Sequence, residues 1–98
     1  MIKLFHEVSQ QCSKAVTEKY STSFSSAIKL LHADLRTPIY NIYGFVRFAD
    51  EIVDTFHQYK KEELLTEFRK ETYAAIERGI SLNPILHSFQ ITVREYNI

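Results

Sequence analysis

Two carboxylates one helical turn apart, with an arginine just before them, are the residues of this 98-residue chain best suited to chemistry. They are Asp50, Asp54 and Arg47; Tyr43, Tyr40 and Arg36 extend the series towards the N-terminus. At about 100° per residue, all six share one helix face. Aspartate is a poor interior helix former, and like charges at i and i+4 repel by a few tenths of a kcal/mol. Something should therefore compensate the pair. Asp50 can reach Arg47. Asp54 has only Asp50, Glu51, His57 and Gln58 within a turn, and none of these is Lys or Arg. A divalent cation would complete such a set. Mg²⁺ takes hard oxygen ligands, keeps several waters and binds through one or two carboxylates plus substrate phosphates. Arg47 would grip the same phosphate bidentately. The alternative is a solvated face carrying an ordinary helix ion pair. Glu63, Glu67 and Glu71 have the same spacing, with Lys60 and Lys70 three residues from Glu63 and Glu67. That set reads as wet, salt-laced surface.

The elements that must position these groups are helices. Phe5, Val8, Cys12, Ala15 or Val16, and Tyr20 make one apolar stripe over residues 2–20. Ser21, Thr22 and Ser23 interrupt it, because small hydroxyl residues favour caps and turns. A short second helix follows, with Ser23 as its expected N-cap and Phe24, Ala27, Ile28 and Leu31 on one face. Thr37-Pro38 looks like a cap and first helical position, although the third helix could begin near Ala33. It is expected to run to Phe56 or His57, with Ile39, Ile42, Val46, Ala49, Val53 and Phe56 as its apolar stripe. A fourth helix spans 60–78, with Glu62 and Glu63 in its first turn, Arg78 in its last and Gly79 as its stop. Its apolar face is Leu64, Leu65, Phe68, Ala75 and Ile76. Asn83-Pro84 opens a fifth helix, carrying Leu86, Phe89, Val93 and Tyr96. The fold class is all-α, in one domain or one piece of a domain.

Composition narrows the function classes. Twelve Lys+Arg balance twelve Asp+Glu, which argues against a nucleic-acid binder, since phosphate backbones demand a basic excess. The apolar share of 45% with 24% charged residues is a globular balance. Only two Gly and two Pro are present, too few for a chain of many hairpins. The single Cys12 excludes an internal disulfide and a cysteine-based zinc site. It reads as a buried small hydrophobe. No apolar stretch approaches membrane-span length, and the start lacks a secretory apolar core, so a cytoplasmic location is the default. His6, His32, His57 and His87 show no metal spacing; His57, three residues after Asp54, could hydrogen-bond that acid but reads as a surface histidine. Tyr40 reads as a core aromatic.

The run from Tyr20 to Leu31, then Arg36, then Ile39 to Asp54, resembles the squalene/phytoene synthase family. The matching features come in order: a Ser-x-Ser-Phe turn, a Leu-Leu helix end, an arginine, Tyr43-x-x-x-Arg47 and Asp50-Glu51-x-x-Asp54. Asn83-Pro84 and the stretch from Phe89 to Tyr96 look like the family's next helix. Thr22 stands where many members carry Lys, and His32 where they often carry Pro. The resemblance implies an all-α isoprenoid synthase bundle. It implies a Mg²⁺-dependent enzyme that joins two prenyl diphosphates head to head through a cyclopropyl intermediate. The acid motif looks more like the phytoene synthase branch, which condenses two geranylgeranyl diphosphates to phytoene in carotenoid biosynthesis. Carried over, Asp50 and Asp54 would hold metal, and Arg47 and Tyr43 would contact diphosphate. Tyr20, Ser21, Thr22 and Ser23 would form the diphosphate-side turn, and Phe24 would border the prenyl channel. The lipid product implies peripheral membrane contact.

The family also uses a second Asp-rich helix downstream, and no second DxxxD occurs here. Residues 1–98 are therefore expected to be the N-terminal third of such a domain, incomplete and inactive alone, lacking the C-terminal part of its own fold. Two further readings remain open. One is a squalene- or dehydrosqualene-type synthase using farnesyl diphosphate. The other is a non-catalytic helical relative kept for assembly or interaction.

Overall fold

Helix ends in this chain are set by local chemistry. The computed structural model describes residues 1–98 as five helices: α1 (Ile2–Tyr20), α2 (Thr22–Ile28), α3 (Ala33–Asp54), α4 (Lys61–Arg78) and α5 (Pro84–Glu95). The α1–α2 break falls at Ser21, not Ser23. Ser21 is extended, and its hydroxyl accepts from the Phe24 N–H at 3.1 Å, satisfying one orphan donor of α2. The third helix takes its earlier start, with the His32 ring accepting from the Asp34 N–H at 3.2 Å. Pro38 consequently lies inside α3, where it forgoes one intrahelical bond. Arg36 closes the preceding turn by donating to the Leu31 and Lys29 carbonyls at 3.2 and 3.1 Å. Asn83 caps α5 through Oδ1, which accepts from the N–H groups of Ile85 and Leu86. Gly79 ends α4 at φ 75°, and Arg94 reaches back from α5 to the Ile76 and Glu77 carbonyls.

Packing departs from the hydropathy stripes. Helix α1 lies on α3 and α5, but it buries Ser9, Ser13 and Thr17 completely, while Val8 stays 47% exposed. Residues 9, 13 and 17 follow one another at helical four-residue steps, and their small side chains let α1 approach closely. Gly44 of α3 faces them: a Cβ there would stand 3.3 Å from the Cα of Ser13. The Ser9 hydroxyl is buried without a partner, whereas those of Ser13 and Thr17 are satisfied locally or across the seam. Thr17 donates to the Ser13 carbonyl at 2.9 Å, and Ser13 and Ser88 bond hydroxyl to hydroxyl. Asn41 donates to Thr92 at 3.1 Å.

On α3 the buried residues are Tyr40, Asn41, Gly44 and Ile52. The expected stripe is offset from these: Ile39, Ile42, Ala49 and Phe56 are half-buried, while Val46 and Val53 are about half exposed. Phe45 joins three helices by stacking on Phe89 at 3.9 Å and Phe68 at 5.4 Å. The expected apolar face of α4 holds in its C-terminal half, where Ala75 is buried and Phe68 and Ile76 are half-buried, but Leu64 and Leu65 are exposed and Thr72 is buried in their place. Cys12 is half-buried. No helix is long and apolar enough to cross a membrane.

Candidate functional site

The α1–α2 bend and the middle of α3 come together through two aromatic contacts. The Arg47 guanidinium lies over the Tyr20 ring at 5.1 Å, a cation–π arrangement. The Phe24 ring lies 5.1 Å from that of Tyr43. Ser21 holds the bend by capping α2, and Thr22 and Ser23 are exposed in its first turn. Tyr20, Phe24, Tyr43 and Arg47, separated by up to 27 positions in the chain, therefore border one surface.

Arg47 does not pair with Asp50. Its Nε faces Glu51 Oε2 at 3.9 Å across one helical turn, with the two side chains only 24% and 15% exposed. Neither atom has a hydrogen-bond partner. The hydroxyls of Thr55 and then Tyr20 hold the Glu51 carboxyl below its ordinary range, and burial works against them. The same carboxylate, followed by burial, raises the Tyr20 phenol. Glu51 is the residue that sequence reasoning missed. It could have been found from Arg47 by the i, i+4 rule, had the choice between Glu51 and Asp50 been legible.

Asp50 and Asp54 are exposed on the last turns of α3, and neither makes an ion pair. His57 does not serve Asp54: its Nδ1 lies 3.2 Å from Lys61 Nζ, which donates to the Val53 carbonyl. The cavity between α3 and α4, about 260 Å³, is lined by Phe48, Ile52, Phe68 and Glu51 among others, and by neither aspartate. Glu63, Glu67 and Glu71 are exposed without ion pairs, so that surface is wet but not salt-laced. Tyr40 is a core residue, with Lys14 5.8 Å above its ring.

No group of three or more His, Cys, Asp and Glu side chains gathers anywhere as a metal cage. What α3 offers is two hard carboxylates one turn apart, neither in an ion pair and both open to water. That donor set fits Mg²⁺, which needs one or two carboxylates and fills its other positions with water and phosphate oxygens. It does not fit a dehydrated structural site.

The family model for squalene/phytoene synthase matches residues 17–98. Comparison with curated proteins and with solved structures returned no match. The family match spans α2 to α5 and the end of α1, including both halves of the surface built by Tyr20, Phe24, Tyr43 and Arg47. The chain belongs to the squalene/phytoene synthase family, whose chemistry is of the head-to-head prenyltransferase type.

Proposed function

We propose that residues 20–24 and 43–54 form one wall of the diphosphate site of a phytoene synthase-type prenyltransferase. Its substrate is geranylgeranyl diphosphate, and its reaction is head-to-head condensation to phytoene by way of prephytoene diphosphate. The observation that carries the reading is the meeting of the seryl bend with α3, through Tyr20 on Arg47 and Phe24 on Tyr43. Arg47 presents a guanidinium whose fork matches phosphate geometry. Asp50 and Asp54 would hold Mg²⁺, which when bound neutralises charge on the leaving diphosphate. Phe24 and Tyr43 give the neighbouring surface an aromatic lining, suited to a prenyl chain and to positive charge on carbon. Water must be kept from that chain, and apolar faces such as Val46 and Val53 lie beside the acids on α3. A lipid product of this kind implies a peripheral membrane encounter.

The test supplies Mg²⁺ with geranylgeranyl or farnesyl diphosphate to protein carrying this segment and analyses the hydrocarbon formed. The expected result is a product from geranylgeranyl diphosphate, abolished by Asp50→Asn or Asp54→Asn. Turnover retained by those variants removes the metal role. Product from farnesyl diphosphate alone assigns the chain to the squalene type.

A further inference from the structure

We infer that Glu51 is a positioning residue that holds Arg47 from its core side and leaves the guanidinium fork free for diphosphate. The inference rests on the diphosphate-site reading above and adds to it a residue that touches neither metal nor substrate.

The geometry is specific to α3. Relative to Arg47, Glu51 is displaced about 40° around the helix and Asp50 about 60° in the opposite direction. The two acids thus flank the arginine. Only Glu51 engages it, at 3.9 Å. Glu51 also lines the cavity between α3 and α4, whereas Asp50 is solvent-exposed. The Arg47 Nε is buried against this carboxylate. The terminal nitrogens make no hydrogen bond and are not among the buried unpartnered atoms, so they open to solvent. Tyr20 covers one face of the guanidinium at 5.1 Å. Through that ring the guanidinium is packed against the end of α1. An arginine backed in this way has lost much of its side-chain freedom before ligand arrives, and pre-organisation of that kind raises affinity.

The inference makes a prediction of sign. A carboxylate beside Arg47 weakens the attraction of the site for a polyanion. If Glu51 acted only through its charge, Glu51→Gln would bind diphosphate more tightly. If it positions Arg47, binding weakens.

The experiment titrates the 98-residue chain with inorganic diphosphate in Mg²⁺ by calorimetry. In parallel it follows the ¹⁵Nε–¹Hε signal of Arg47 by NMR. The expected results for E51Q are an affinity about tenfold lower, at the low end of what outer-shell partners contribute, and faster solvent exchange at Arg47 Nε. Far-UV circular dichroism should be unchanged. E51D keeps the charge but withdraws it by one methylene, and it should move both readouts in the same direction. It decides the matter if E51Q does not fold. Equal or tighter diphosphate binding by E51Q, or an unaltered Arg47 Nε signal, overturns the positioning role and leaves the diphosphate reading intact. Absence of diphosphate binding by the wild-type chain overturns both.

Discussion

Replacing Gly44 with alanine tests the close crossing of α1 and α3, the contact that sets the seryl bend against the acid-bearing helix. An added Cβ would lie 3.0 Å from Ser13 Oγ, 3.1 Å from its Cβ and 3.3 Å from its Cα. Ordinary carbon contacts fall at about 3.5–4.0 Å. The hydroxyl can rotate away, but Cβ and Cα move only if the helices separate. Overpacking of this kind costs about 1–3 kcal/mol. Turning Ser13 Oγ also loosens its bond to Ser88, a loss of about 0.5–1.5 kcal/mol. Against this, alanine gains about 1 kcal/mol over glycine in helix propensity. The net expectation is a destabilisation of about 0.5–3.5 kcal/mol, measured by urea unfolding followed by circular dichroism. Each kcal/mol corresponds to a melting-temperature drop of about 4–8 °C at this size. Ser13→Gly removes two of the three clashing atoms, so the double variant should lose less than the sum of the singles. A more stable Gly44→Ala protein, or strict additivity with Ser13→Gly, would refute the close-crossing argument.

Acid should destabilise the α1–α5 contact. The Ser81 N–H donates to His87 Nδ1 at 3.2 Å, which leaves the ring proton on Nε2 to donate to His6 Nδ1 at 2.8 Å. Burial, and then the proximity of His6, lowers the His87 pKa. Above about pH 6.5 the ring is neutral in both folded and unfolded chains, and its contribution is complete. As pH falls below that value, the unfolded state takes up a proton first, so stability declines until the lowered native pKa is passed. The slope is at most about 1.4 kcal/mol per pH unit for one proton, and stability flat from about pH 7.5 to about pH 5.5 contradicts the assignment. Arg94→Ala strips three hydrogen bonds from the carbonyls ending α4. It should cost about 1–2 kcal/mol and speed amide exchange in the last turn of α4. Gly79→Ala forces a left-handed residue, costing about 1–2 kcal/mol, and drives its Cβ to 2.9 Å from Arg94 Cζ. It should therefore be milder when Arg94 is already alanine.

The helices were legible in the sequence because their ends carry local chemistry. Asn83-Pro84 and Gly79 mark their positions by caps and backbone conformation, which need no tertiary partner. Faces were less legible. Hydropathy assigns α1 the stripe Phe5, Val8 and Cys12, yet the buried residues are Ser9, Ser13 and Thr17. Close helix approach favours small side chains over apolar ones, and that demand arises only when Gly44 arrives from elsewhere in the chain. The same holds for α3, where Tyr40, Asn41 and Ile52 face the core instead of Val46 and Val53. Motif order pointed to residues that the fold brings together, Tyr20 with Arg47 and Phe24 with Tyr43. What spacing did not reveal was the choice Arg47 makes between two adjacent acids. Asp50 at three residues and Glu51 at four are both within reach, and the fold decides by placing only Glu51 on the half-buried side.

If α3 is a metal-bearing wall, Asp50 and Asp54 make diphosphate binding depend on Mg²⁺. Inorganic diphosphate is titrated calorimetrically into the wild-type chain and into the Asp50→Asn, Asp54→Asn double variant, each with and without Mg²⁺. The account predicts wild-type binding that requires Mg²⁺ and falls at least tenfold in the double variant. Binding of equal strength without Mg²⁺, or undiminished when both aspartates are neutral, contradicts it.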